Sequence, residues 1–281
     1  MTPSWFHVRE QSARSILSRT SGFIAAAGFT HSLTPARNCT FGCTYCYVPT
    51  MRLQGGLQPE DWRRWGQFTT FKTNAAELVR GRNAAKSIYC SPVVDPYQPA
   101  EGERRLMREL LTALADSPPR VFTVQTRAPL VERDIDLLSR LPDARVSFSL
   151  TTDREDVRRW YEPHCAPLPE RIAAMRSLRA AGIRVFATLA PILPCNPEAL
   201  ADAALEASAE NVIGDPFHVR AVKRQGATTR EQAERVSAVR GFAHWHEPAF
   251  QSEVAARIGE RIRAAGREFR VGAEAFQWLA Q

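Results

Sequence analysis

One phrase occurs twice in this chain and limits its fold more than any other feature: RAAGIRVF at 179–186 and RAAGREFRV at 263–271. Each reads as a helix end, a glycine stop and a strand start. Gly182 and Gly266 suit the left-handed conformation that closes a helix. The β-branched and aromatic residues after them suit a strand. The same alternation runs through the middle of the chain. SIYCS (87–91), VFTVQT (121–126), RVSFSL (145–150) and IRVFATLAP (183–191) read as strands, and FHVRAV (217–222) as a further one. Between them, Leu106, Leu110, Leu111 and Leu114 recur at helical spacing, as do Ile172, Met175 and Leu178. Val131 to Leu141 reads as helical, and Asn196–Pro197 opens a helix running through Glu210. Strands alternating with helices pair in parallel through βαβ units. The expected fold is therefore α/β, a partial (β/α)6-type TIM barrel. Its core spans about 28–222, with an N-terminal extension up to Phe29 and a helical C-terminal segment over 223–281. No linker divides the chain, so residues 1–281 are read as one domain. In such a barrel, chemistry sits at the C-terminal ends of the strands and in the loops after them.

No run of 18 apolar residues exists, and GFIAAAGF near the start is too short for a span. No export signal precedes it, so the expected compartment is the cytoplasm, where thiols stay reduced. The six cysteines are then ligands, reactive groups or small buried hydrophobes. The net charge is +7, with only three lysines (Lys72, Lys86, Lys223). That balance suits a nucleic-acid partner. It equally suits an arginine- and alanine-rich composition of GC-rich coding.

Half of the cysteines stand in NCTFGCTYCYVP (38–49), as Cys39, Cys43 and Cys46. Two metal readings follow. A zinc site wants four ligands, and His31, Cys90, Cys165 or Cys195 would have to complete it. A [4Fe-4S] cluster held by three thiolates instead leaves one iron without a protein ligand. That iron can chelate an amino and a carboxylate group, both of which S-adenosylmethionine (SAM) carries. An electron passed to the sulfonium would break a carbon–sulfur bond and release a 5′-deoxyadenosyl radical, chemistry that belongs to the cofactor.

The Cys-x3-Cys-x2-Cys spacing, with Tyr45 before the third cysteine, is that of the radical SAM superfamily. The chain further resembles its spore photoproduct lyase-like group, also labelled DNA-repair photolyase-like. The resemblance rests on FGCTYCYVPTM, WGQFTTFKTNAAEL (65–78), VVDPYQPAE (93–101), TRAPLVERDIDLL (126–138), SFSLTTD (147–153), EPHCAPLPERI (162–172) and AGIRVFATLAPILP (181–194). It fades after about residue 220. It implies Cys39, Cys43 and Cys46 as cluster ligands, on a loop after a first strand near Phe29–Leu33. Ser91 and Ser149 match SAM-contacting serines. Arg127 stands where the group usually has a lysine near the SAM carboxylate; it keeps the charge and adds a fork. Cys90 is implied as a hydrogen-atom donor to the substrate radical, with Tyr45 and Tyr47 helping to return the atom. The bland reading of Cys90 is a cysteine filling strand space. An external electron donor of flavodoxin or ferredoxin type is implied, with a lyase or transferase reaction and a monomeric state.

Asp95, in DPYQP, has two readings: a bond to the SAM amino group or ribose, helped by Gln98 and Glu101, or a turn in which it bonds its own backbone. Glu162 and Arg171 have two readings, an internal ion pair across the EPHCAPLPER loop or contact with substrate. His244-Trp245-His246-Glu247 looks like a metal fragment, but packing is the stronger reading. Substrate identity stays open among a nucleic-acid lesion or nucleoside, a small molecule of natural-product metabolism, and aminocarboxypropyl transfer from SAM. A zinc- or cluster-stabilised nucleic-acid-binding module is the non-enzymatic alternative.

Overall fold

Eight strands form the main sheet: β1 Leu17–Arg19, β2 His31–Leu33, β3 Ser87–Cys90, β4 Val121–Thr126, β5 Ala144–Ser149, β6 Arg184–Leu189, β7 Val212–Gly214 and β8 Phe269–Val271. This computed structural model describes residues 5–51, 61, 63–218, 220–223 and 226–281. Each strand lies beside the one before it in the chain. Neighbours from β2 to β8 pair in parallel, and β1 joins β2 antiparallel. Among the described residues no pairing joins β1 to β8, so the sheet is mainly parallel and open. The expected α/β fold is present as a partial barrel without closure.

The helices that cross over this sheet are α1 Leu106–Asp116, α2 Glu155–Tyr161, α3 Leu168–Ala180, α4 Pro197–Ala207 and α5 Pro248–Ala264. α1 starts where the buried Glu101 carboxylate accepts the Leu106 and Met107 amides at 3.1 and 2.8 Å. A carboxylate suits the positive end of a helix, and Arg133 pairs with it at 2.8 Å. This places Glu101 in a cap. α4 begins at Asn196, whose side chain accepts the Ala199 amide at 2.9 Å, an ordinary N-cap. Gly182 and Gly266 end α3 and α5 with φ of 79° and 76°.

Alternation along the strands divides the sheet into two faces. Ile88, Cys90, Phe122, Val124, Val146 and Phe148 pack with Leu106, Leu110, Leu114, Met175 and Leu178 under the helices. On the interior face Tyr89, Phe186 and Ile213 pack with Phe29, Phe276 and Leu279. The segment after β8 closes the end where the strands begin: Thr123 Oγ1 donates to Leu279 O at 2.7 Å and Arg145 Nη1 to Trp278 O at 2.8 Å. The opposite end is left to the loops.

Two elements differ from the sequence reading, and the core is larger than read. β8, the strand expected after Gly266, joins the main sheet, so the core reaches beyond 222 into the segment read as helical. FHVRAV contributes only Val222–Lys223, paired with Gly226–Ala227 in a small hairpin, and residue 219 lies outside the described residues. The alternation of Phe217, Val219 and Ala221 suggests a strand, but Phe217 is instead a core side chain. Val131–Leu141 is a 3-10 stretch, Pro129–Asp134, followed by a single turn at Ile135–Leu138. A second sheet pairs His7–Gln11 in parallel and Ala36–Arg37 antiparallel with Phe68–Lys72. It anchors the chain just before Cys39.

Candidate metal centre and ligand site

The cysteine loop leaves the small sheet through Asn38 (φ 62°) and turns again at Gly42 (φ 62°). A buried amide holds it there. Gln98 Oε1 accepts from the Thr40 amide and hydroxyl at 2.9 and 3.1 Å, while Gln98 Nε2 donates to Thr69 Oγ1 at 3.0 Å. Gly66 presses on the loop from outside: a Cβ there would stand 2.8 Å from Gly42 Cα. The Thr44 amide donates to Tyr161 O at 2.9 Å, and Thr229 Oγ1 donates to Tyr45 O at 3.0 Å. Cys39 and Cys43 are buried and Cys46 is half-buried. Burial pushes the Cys39 thiol up, and pushes that of Cys46 up to about 12, whereas the contact with Cys165 and the charge of Arg127 draw the Cys43 thiol down.

Beside the loop lies a buried ionic array. Glu162, fully buried at the end of α2, accepts from Tyr45 OH at 2.5 Å, Thr151 Oγ1 at 2.9 Å, Arg127 Nη1 at 2.6 Å and Arg171 Nη2 at 2.6 Å. Burial alone would raise its pKa. Arg171 and Arg127 outweigh burial and hold it down to about 2, so the carboxylate stays ionised. The internal Glu162–Arg171 ion pair is thus present. The sequence did not reveal that Arg127 and Tyr45 join it. Arg127 Nη1 also donates to Tyr45 OH and lies 3.7 Å from Cys43 Sγ. Cys165, from the same EPHCAPLPER loop, brings its Sγ to 4.0 Å from Cys43 Sγ.

Asp95 is used up by protein donors. Its carboxylate accepts from the Tyr97 amide at 2.9 Å, Thr126 Oγ1 at 2.7 Å and the Arg127 amide at 2.9 Å. This is the turn reading, extended to fasten the start of the Arg127 loop. Ser91 follows the end of β3 and Ser149 is the last residue of β5. Both hydroxyls are buried and have no hydrogen-bond partner. An unpaired buried hydroxyl is costly unless a ligand completes it.

Cys90 is fully buried on the helix-facing side of β3, and burial pushes its thiol up. Tyr89, its neighbour, is on the interior face, where its hydroxyl donates to Gln125 Oε1. Tyr47 is 43% exposed and donates to Pro92 O at 3.1 Å, so it is open to solvent as Tyr45 is not. Thus Cys39, Cys43, Cys46, Tyr45, Arg127 and Asp95 are connected by the loop and its bonds, Ser91 follows β3 nearby, and Cys90 faces away. His246 bonds Ser237 Oγ at 2.8 Å and packs on Phe217, in line with the packed reading of HWHE.

Three thiols on one loop beside a cationic array are the donor type an iron–sulfur cluster takes, although among the described residues no three metal-ligating side chains stand close enough to hold a single metal ion. The profile of the radical SAM superfamily matches residues 33–206. The chain is 27% identical over 156 residues to an uncharacterised protein of Methanocaldococcus jannaschii, spanning 56% of this chain and 58% of that one. An uncharacterised protein of Acidianus two-tailed virus is 25% identical over 213 residues, 69% of each chain. Among solved structures, a spore photoproduct lyase variant with bound AdoMet and dinucleoside spore photoproduct superposes with a TM-score of 0.63 at 14% identity. The match covers 94% of this chain and 81% of that one. That likeness concerns the fold.

Proposed function

The chain belongs to the radical SAM superfamily, and from that premise we propose that it is an enzyme that binds one [4Fe-4S] cluster through Cys39, Cys43 and Cys46 and SAM beside it. The observation that carries the reading is the Cys39, Cys43, Cys46 loop set against the Arg127–Glu162–Arg171 array, with Arg127 Nη1 3.7 Å from Cys43 Sγ. When bound, the cluster and SAM supply an electron and a sulfonium whose carbon–sulfur bond breaks to give a carbon radical. The protein's part is to hold and to exclude water. Gln98 and Gly66 fix the loop so that the thiols stay together. Ser91 and Ser149 offer hydroxyls to the polar atoms of SAM. Tyr45, locked to Glu162, shields one flank, and Tyr47 stands at the open side, toward substrate.

A nucleic-acid or nucleotide substrate is favoured by a second observation. A cleft of about 350 Å³ on the small sheet is lined by Arg14, Arg37 and Lys72 with Ser12, Ser15 and Thr70, and no carboxylate lines it. Among the described residues none of these three cations forms an ion pair. The lyase that shares the fold was solved with a dinucleoside photoproduct, which fits the same class. A reductant of flavodoxin or ferredoxin type would supply the electron.

Anaerobic reconstitution tests the proposal. About four irons and four sulfides per chain, with 5′-deoxyadenosine formed from SAM and dithionite, is the expected result. Cys165 gives a zinc reading its one support, as a fourth thiol 4.0 Å from Cys43. One zinc per chain, lost in Cys165→Ser, with no SAM product, would replace the enzyme by a metal-stabilised module. Methylthioadenosine in place of deoxyadenosine would instead indicate aminocarboxypropyl transfer.

A further inference from the structure

Charge around the cysteine loop, on buried Arg171 and Glu162 and on partly buried Arg127, Arg230 and Asp95, does not balance within the protein. Arg127, Arg171 and Arg230 bring three guanidinium groups to it, and Glu162 and Asp95 bring two carboxylates. Arg171 is fully buried, and its Nη1 has no partner. Arg230 Nη1 reaches Cys43 O at 3.5 Å. An uncompensated cation in a protein interior is costly, so a partner of opposite sign is expected nearby. Three thiolates on a [4Fe-4S] core are such a partner, since the whole carries net negative charge in both redox states and more when reduced.

We propose that Arg127, held in place by Glu162 and Arg171, is a positioning residue that sets the reduction potential of the cluster through Cys43. This rests on the proposed cluster. Nη1 of Arg127 is already committed to Glu162 at 2.6 Å and to Tyr45, and it stands 3.7 Å from Cys43 Sγ. Both Nη1 hydrogens are thus spent on Glu162 and Tyr45, and what the sulfur meets is the guanidinium charge. A cation beside a ligand sulfur favours the more negative, reduced state and raises the potential. Glu162 opposes this with its charge while holding the geometry.

The test is an EPR-monitored redox titration of the reconstituted full chain without SAM, with SAM affinity measured separately. Arg127→Gln should shift the midpoint to more negative potential, and Arg127→Lys should stay near the wild type. Glu162→Gln, which removes the opposing charge and keeps the shape, should shift it to less negative potential. Opposite shifts in the two glutamine variants are the result a merely structural role would not give. An unchanged potential in Arg127→Gln, with SAM affinity alone reduced, would overturn the proposal and return Arg127 to the SAM carboxylate. Shifts of the same sign in both variants would also overturn it. If Arg127→Gln does not retain a cluster, Arg127→Lys decides: potential kept supports the proposal, potential lowered overturns it. A wild-type protein that takes up no iron defeats the proposed function itself, which separates the two failures.

Discussion

At Ser91 and Ser149 stability and binding pull apart, which makes the two hydroxyls informative. Each is buried without a partner, so removing it takes away an unmet desolvation cost. Ser91→Ala and Ser149→Ala should leave the melting temperature of the SAM-free protein unchanged or raised. Each should weaken SAM binding about fivefold, equivalent to about 1 kcal/mol for one hydrogen bond. Calorimetric melting and equilibrium dialysis check the pair, and a melting loss in both would mean the hydroxyls serve the fold. Glu162 gives a pH prediction. Its pKa falls from an ordinary 4.5 to about 2 on folding, so the unfolded chain binds the proton more readily. Its contribution is fully present above about pH 4.5 and is lost as pH falls toward 2. Glu162→Gln should flatten that part of the acid-unfolding curve. Cys90 is packed under α1, and Cys90→Ala should cost about 1 kcal/mol of stability while 5′-deoxyadenosine formation persists. A changed product distribution in that variant would bring the thiol into the reaction from the helix side.

The elements teach which parts of a sequence speak for themselves. Leu110, fully buried on α1, was evident from helical spacing, and Leu110→Ala should cost 2–5 kcal/mol, in the usual range for a buried leucine, measured by urea unfolding. β3 to β6 and the glycine stops were likewise legible, because their signals are local: period 2, period 3.6 and a left-handed residue. The cysteine loop was legible by spacing. What holds it was not. Glu162 lies 117 residues from Tyr45, and no local pattern announces a bond over that separation; only Arg171, nine residues on, could be guessed. Asp95, Gln98 and Glu101 looked like ligand groups because polar residues on a post-strand loop do, yet folding spends all three on turn, loop and cap. Gly66 shows the same blindness. Nothing in WGQF says that Gly42 passes within contact distance, but Gly66→Ala, with φ of 92° and no room for a methyl, should cost about 1–3 kcal/mol and lower the iron content of reconstituted protein.

For the molecule as a whole, the uneven charge matters more than its total of +7. The cleft at Arg14, Arg37 and Lys72 predicts that single-stranded oligonucleotides bind and that affinity falls steeply with salt. Replacing the three cations by glutamine should reduce the slope of log K against log salt, as read by fluorescence anisotropy; an unchanged slope would move the contact elsewhere. No helix among the described residues is long and apolar enough to cross a membrane. The strand order carries a last consequence. Because every strand of the main sheet lies next to its predecessor, a nascent chain can lay down the fold in the order it leaves the ribosome. The cysteines emerge early, and the residues that roof them, Glu162 and then Thr229, which is 184 positions beyond Tyr45, come last. During synthesis the thiols stand uncovered for most of the time the chain is growing, so the proposed cluster would have an interval for delivery before the roof shuts.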